Sequence, residues 1–221
     1  MKKIISLPER VFNFAKRKFV HLVYRSIINI PCFHFVKNTR HSPVYCSLRM
    51  WFMQKVLGFN KKVYWPVHFT SKINQYKHII IGVETNPGYE PGCYIQGIGK
   101  VYIGDYTRIA QNVGIISSNH DLYDSSKHDL SSKVVIGNYC WLGMNSVILP
   151  DVTLGDFTIV GAGSVVTKSF PEGYCVIAGN PAKIIKYLEK DKCIPYKNEP
   201  EYIGYIPKEK FEEFRKRNLW V

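Results

Sequence analysis

One histidine of this chain stands where chemistry is to be expected. His120 lies in Ser117-Ser118-Asn119-His120-Asp121, where a regular pattern of short repeats gives way to an irregular stretch. An imidazole, with an ordinary pKa of about 6.5, can take a proton from a hydroxyl near neutral pH and hand it on. The other six histidines are placed differently. His21, His34, His41, His68 and His78 fall outside the clean repeat, and His128 lies deep in the irregular stretch, on the side expected for a second substrate. Asp121 and Asp124 are read either as groups that orient the His120 ring or bind substrate hydroxyls, or as solvated loop carboxylates. Asn119 is a similar case. Gln96, in Tyr94-Ile95-Gln96-Gly97, is a further candidate for substrate contact, and Trp141 is read as packing first and substrate contact second. No metal site is expected. The six cysteines form no CxxC pair and no Cys/His cluster of zinc-finger spacing, and a three-histidine zinc site built on His120 and His128 lacks a convincing third ligand.

The elements that must position these residues are set by a repeat. From Ile136 onward an aliphatic residue recurs every six positions: Ile136, Leu142, Ile148, Leu154, Val160, Val166. The next position holds Gly137, Gly143, Leu149, Gly155, Gly161 and Thr167. Two residues before each aliphatic stand Val134, Cys140, Ser146, Val152, Thr158 and Ser164, all small or β-branched. A helix would show period 3.6 and an ordinary strand period 2, so three columns at period six predict a triangular coil of short parallel strands. The aliphatic points inward and stacks on its equivalent one coil away, about 4.8 Å along the axis. The small column fits a narrow interior, and the glycines are expected to take the corners, where φ is often positive. The pattern also runs through Ile103-Gly104, Ile109-Ala110 and Ile115-Ile116. The aliphatic due at 121 arrives only at 136, which gives a 15-residue insertion, and long loops in compact repeats are usually functional.

Outside the repeat the chain changes character. Residues 1–62 carry 13 Lys and Arg against one acid, Glu9, while the formal charge of the whole chain is +13. A uniformly basic nucleic-acid binder would spread its charge differently, so no nucleic-acid partner is expected. Residues 8–58 read as mainly helical, with Phe12, Phe19, Leu22 and Val23 on one face against Arg10, Lys16, Arg17 and Lys18. Two readings stand: a helical cap on the solenoid with a solvated basic face, or peripheral attachment to an anionic membrane surface or glycan-assembly complex. The start, Met1 to Arg10, holds no apolar run of signal-peptide length, and Phe19 to Val36 is broken by His21, Arg25, Asn29, Pro31 and His34, so no membrane span is expected. Six cysteines without a pairing pattern suit a reducing, cytoplasmic setting. Residues 208–218 read as an amphipathic helix. The organisation expected is a basic helical segment at 1–65, a β-helix at 66–188 with an inserted loop at 117–133, and an extension at 189–221.

Three runs, Ile136-Gly137-Asn138-Tyr139-Cys140-Trp141-Leu142-Gly143, Gly161-Ala162-Gly163-Ser164-Val165-Val166-Thr167-Lys168 and Ala178-Gly179-Asn180-Pro181-Ala182-Lys183, resemble the hexapeptide-repeat acyltransferases. Ser118-Asn119-His120 resembles the catalytic-loop start of the sugar O-acetyltransferase branch, which includes maltose, galactoside, capsule and O-antigen acetyltransferases. The resemblance covers residues 79–188. Residues 1–65 do not resemble the short helical module of the maltose enzymes. It implies a mainly β fold, a left-handed parallel β-helix, and a homotrimer with acetyl-CoA between neighbouring subunits. It implies acetyl transfer to a hydroxyl of a sugar or glycan precursor in polysaccharide biosynthesis, with His120 as general base. Met144, Ala162, Thr167, Lys168, Lys183 and Lys186 match positions that contact CoA. A backbone N–H near Gly143 is expected to hold the oxyanion, and Gly161-Ala162-Gly163 to lie flat against the pantetheine arm. Lys168, Lys183 and Lys186 would meet the phosphates. A non-catalytic glycan-binding scaffold and an N- or serine-acetyltransferase of the same fold are the alternatives.

Overall fold

The computed structural model describes the backbone from Leu7 onward and side chains from Asn13 onward. The expected placements of Arg10 and Phe12, and the leader reading at residues 1–6, lie outside the described residues. Three parallel sheets form the faces of a triangular coil. The first face stacks β1 (Lys72–Asn74), β3 (Tyr94–Gln96), β6 (Gly114–Ile116), β9 (Val147–Ile148) and β12 (Val165–Val166). The second holds β2 (Ile79–Ile81), β4 (Lys100–Ile103), β7 (Lys133–Ile136) and β10 (Thr153–Leu154). The third holds β5 (Arg108–Ile109), β8 (Trp141–Leu142), β11 (Thr158–Val160) and β13 (Cys175–Gly179), and is closed by β14 (Ala182–Tyr187), which pairs antiparallel with β13.

The inward column is as the repeat predicts. Leu142, Ile148 and Val166 are fully buried, and so are Ser146, Thr158 and Ser164 in the small column. Register fixes the length of the insertion: Ile136 pairs with Leu154, 18 residues on, whereas Ile103 pairs with Ile136, 33 residues on, so 15 extra residues leave the corner between the first and second faces.

The glycine column serves a purpose other than the expected one. Gly137 and Gly143 do not adopt positive φ. Instead, a Cβ on Gly137 would lie 2.6 Å from the Asp156 nitrogen, and one on Gly143 would lie 2.7 Å from the Ala162 nitrogen and the Val160 oxygen. The column is kept bare so that successive coils can approach backbone to backbone. The left-handed residues come two positions later, at Tyr106 (54°), Asn112 (58°), Tyr139 (54°), Asn145 (58°), Asp151 (62°), Phe157 (54°) and Gly163 (68°). At one corner the strain of an aromatic residue in this conformation is offset by stacking: Tyr106, Tyr139, Phe157 and Tyr174 form a column with ring centroids 5.4, 4.9 and 5.2 Å apart. Beside it runs a ladder of side-chain acceptors. The N–H of Val83 donates to Asp105 Oδ1 (2.7 Å), that of Asp105 to Asn138 Oδ1 (2.8 Å), and that of Asn138 to Asp156 Oδ1 (2.7 Å).

The start of the solenoid is covered by both ends of the chain. Tyr64 and Trp65 are buried there, and the C-terminal extension returns to them: a hairpin of β15 (Tyr202–Ile203) and β16 (Ile206–Pro207), then a helix, Lys208–Asn218, whose Phe211 and Phe214 pack on Tyr64. Gln54, fully buried, accepts from Val67 N and Tyr205 Oη while its amide reaches the carbonyls of Asn60, Val63 and Trp65. The N-terminal segment supplies α1 (Leu7–Ile28), α2 (His34–Asn38) and α3 (Leu48–Trp51); the returning helix is α4. Of the segment 8–58 read as a cap on the solenoid, α1 takes no part, since every side chain from Asn13 to Ser26 is exposed. The later part of the segment does: Phe35, Val36 and Cys46 pack with Tyr202, and Gln54 bonds to Val63 and Trp65, so it shares the cap with residues 63–67 and 202–219.

Candidate functional site

His120 is exposed at the mouth of the inserted loop, and its ring is fixed by one bond. Nδ1 lies 2.6 Å from the Ser125 carbonyl oxygen. A carbonyl only accepts, so the proton sits on Nδ1 and Nε2 presents its lone pair outward. The loop doubles back to make this contact. Asp121 N–H donates to Lys127 O (3.0 Å), Asp129 N–H to Asn119 O (3.2 Å), and His120 and His128 face each other across the pair with ring centroids 4.0 Å apart. His128 Nδ1 is buried without a hydrogen-bond partner among the described residues.

The neighbouring carboxylates do not orient His120. Asp121 Oδ1 accepts from the backbone N–H groups of Tyr123 and Asp124 (2.9 Å each), building the turn. Asp124 pairs with Lys127 at 2.8 Å, and the bonds to Lys127 and Ser126 hold its carboxyl below the usual range. Orientation of the imidazole belongs to a backbone carbonyl, which residue type does not reveal. Asp129, not singled out from the sequence, closes the loop. Its carboxylate accepts from the Ser131 hydroxyl and N–H and from the Ser132 hydroxyl, which bring its pKa down to about 2. Gln96 is buried and Oε1 accepts from Ser118 N–H (2.9 Å), so it braces the strand leading to His120. Asn119 is exposed beside His120, its carbonyl engaged by Asp129.

The expected donor positions fall on two corners of the coil. Thr167 and Lys168 follow β12, on the same corner as the His120 loop. Gly143, Met144 and Ala162 lie on the corner between the third and first faces. One chain does not gather them into one cluster. The N–H of Gly143 itself donates to Val160 O (2.8 Å). The N–H groups of Met144 and Ala162, at the same corner, make no hydrogen bond among the described residues. Lys183 and Lys186 are three apart, yet share a side. Their partners on β13 are Ala178 and Val176, two residues apart, because the register shifts at Val176/Ile177. Both lysines are exposed, with no acidic partner among the described residues. Trp141, 54% exposed, borders a cleft of about 350 Å³ with Arg108, Gln111 and Met144, walled by Pro43 and Val44 of the N-terminal segment. No sequence signal foretold that wall, since residues 43–44 lie outside any repeat. Among the described residues no group of three or more His, Cys, Asp or Glu is arranged to hold a metal ion.

Residues 133–168 match the family described as bacterial transferase hexapeptide (six repeats). The hexapeptide repeat of residues 133–168 thus lies within a parallel β-helix that has N-terminal helices and a C-terminal helix. Among solved structures it is similar to a maltose O-acetyltransferase from Clostridium difficile 630, at 30% identity over 54% of this chain and 64% of that one, with a TM-score of 0.46. It is similar to the polySia specific acetyltransferase NeuO, at 32% identity over 57% and 64%, with a TM-score of 0.43. It is also similar to a galactoside acetyltransferase in complex with coenzyme A, at 29% identity over 58% and 68%, with a TM-score of 0.46. The chain thus spans 64% of the length of the first two. No curated protein matches it significantly.

Proposed function

We propose that this chain is an acetyl-CoA-dependent O-acetyltransferase that moves an acetyl group to a hydroxyl of a sugar or glycan precursor in the cytoplasm. The observation that carries this reading is the 2.6 Å contact of His120 Nδ1 with the Ser125 carbonyl, which leaves Nε2 as a free base at the entrance of a loop inserted into a hexapeptide repeat. Nε2 takes the acceptor's hydroxyl proton as its oxygen attacks the thioester carbonyl carbon. The tetrahedral oxyanion is held by a backbone N–H, for which Met144 is the candidate. As the C–S bond breaks, the proton on Nε2 passes to the departing thiolate of CoA.

The division of the donor positions between two corners supports a homotrimer. His120, Thr167 and Lys168 of one subunit would face Gly143, Met144 and Ala162 of its neighbour, with the acetyl-CoA chain between them. Lys183 and Lys186, free of acidic partners among the described residues and on one side of β14, suit the phosphates of CoA. Asn119, Asp121 and Trp141 remain as acceptor contacts, and Gln96 acts through Ser118.

The test is release of free thiol from acetyl-CoA by the purified protein against a panel of sugars, nucleotide-sugars, lipid-linked oligosaccharides and amines. Turnover with a sugar hydroxyl is expected. Turnover with amines alone would move the reading to N-acetyl transfer, and no turnover with any member would leave a non-catalytic scaffold.

A further inference from the structure

The helix α1 has no part in the solenoid, and its surface is unusual for a helix facing water. Phe14, Phe19, Val20, Leu22, Val23 and Tyr24 are all exposed, Phe19 at 67% and Leu22 at 64%. At 100° per residue Ala15, Phe19, Leu22 and Val23 fall within one arc, Lys16 and Lys18 flank it on either side, and Arg17, His21 and Arg25 lie beyond, with Phe14 among them. No acidic residue occurs between Arg10 and Val83, so nothing in this part of the chain neutralises the basic arc. No single described helix is long and apolar enough to cross a membrane.

We propose that α1 docks the protein on an anionic lipid surface, lying in the plane of the interface with Phe19, Leu22 and Val23 in the acyl boundary and Lys18, Arg17 and Arg25 toward the headgroups. The helix is about 33 Å long at 1.5 Å per residue, long enough to lie along the surface. An apolar arc flanked by lysines, whose stems can reach back to the headgroups, is what an in-plane helix needs. Charge decides the occupant. A second copy would cover the apolar arc by bringing another strongly cationic segment alongside, which like-charge repulsion opposes, whereas an anionic headgroup layer supplies the missing counter-charge. This docking stands independently of the acetyl-transfer reading.

The experiment is flotation of the purified full-length protein with vesicles of phosphatidylcholine alone and of phosphatidylcholine with phosphatidylglycerol. Binding to the anionic vesicles only, weakened by salt, is expected. Arg17→Gln with Arg25→Gln should lower the partition coefficient about 25-fold, at about fivefold for each cation removed. Phe19→Ser with Leu22→Ser, which leaves the charge unchanged, should lower it at least about tenfold. The thermal melt of each variant should match the parent, since these side chains touch no core. Failure of the parent to float with anionic vesicles, equal binding to both vesicle types, or full binding by the serine variant would overturn the proposal. So would a fall in oligomeric state of the serine variant on sedimentation, which would assign the apolar arc to a second copy.

Discussion

The wall of the solenoid and the loop that interrupts it solve the same problem differently. In the wall, Ile115 pairs with Ile148 and Ile148 with Val166, each fully buried, and each strand's polar backbone is answered by the coil above or below. In the loop, Leu122 is 92% and Tyr123 99% exposed, and between Asn119 and Ser131 the hydrogen bonds close within the loop, through Asp121, Asp124, Asp129 and the Ser125 carbonyl. The wall is held by repetition and burial, so a change at one coil is felt by its neighbours. The loop is held by a few local acceptors, so it can carry an exposed, directed imidazole at little cost to the fold.

The sharpest test of that division is His120→Ala. It should lower kcat by about 10²–10⁴-fold, the usual contribution of a positioned general base. KM for acetyl-CoA should stay near its parent value, because the lost interaction acts in the transition state. The melting temperature should not move, as the side chain is exposed. His120→Asn should be nearly as inactive, since it cannot take the proton, and His128→Ala should keep far more activity. A kcat for His120→Ala within threefold or so of the parent would remove the loop from the chemistry.

The converse change belongs in the wall. Gly137→Val places a branched side chain where even a Cβ would lie 2.6 Å from the Asp156 nitrogen and 2.7 Å from the Gly155 carbonyl carbon, backbone of the next coil that cannot swing aside as the Asp156 carboxylate can. A loss of about 3 kcal/mol or more in denaturant unfolding is expected, with refolded protein poorly active because the coil spacing is disturbed. A near-parental stability would show that the coils are less closely stacked than the geometry implies.

Between these extremes lies β14, part of the wall yet free on its outer side. Lys183→Glu with Lys186→Glu should raise KM for acetyl-CoA by about tenfold, with kcat and the melting temperature near parental values. Equal loss for both substrates, or none, would make the two lysines a solvated face.

The same contrast explains what the sequence disclosed. The wall was legible because three columns at period six have only one geometric solution, and Ile136, Leu142 and Ile148 are buried as that solution demands. The insertion length followed from a missed aliphatic position. Position 137 was legible as glycine-requiring, but its reason, contact between coils rather than backbone conformation, depends on atoms of Gly155 and Asp156 in the next coil. The partner of His120 was not legible, because any residue type supplies a carbonyl like that of Ser125. Nor was the docking of residues 202–219 on Tyr64 and Trp65, a long-range return with no periodicity to announce it.

The smallest effect expected, and the most informative about the loop itself, is that of Asp129→Asn. In the parent the carboxylate accepts from Ser131 Oγ (2.6 Å), Ser131 N (2.9 Å) and Ser132 Oγ (2.7 Å), while the Asp129 carbonyl accepts from Ser118 Oγ (2.6 Å), so one residue ties the exit of the loop to its entrance. Those donors favour the ionised form and bring the folded-state pKa from 3.8 down to about 2. A depressed carboxylate pKa contributes stability that is complete above the unfolded value and is lost as pH falls through the folded one. The difference in melting temperature between parent and Asp129→Asn should therefore be small and constant from pH 8 to about pH 5, and should close as pH drops from about 4 towards 2. The group is exposed, so the difference should amount to no more than a degree or two, as for other surface substitutions. Activity should fall more than stability does, by a few-fold in kcat, because the variant's amide replaces one acceptor oxygen with a donor and loosens the segment that presents Ser125 to His120. The measurements are a melting series against pH and steady-state kinetics at neutral pH. A melting difference that widens on acidification, or a variant with parental kcat, would show that the loop's order does not depend on Asp129 and that His120 is held by the Ser125 carbonyl alone.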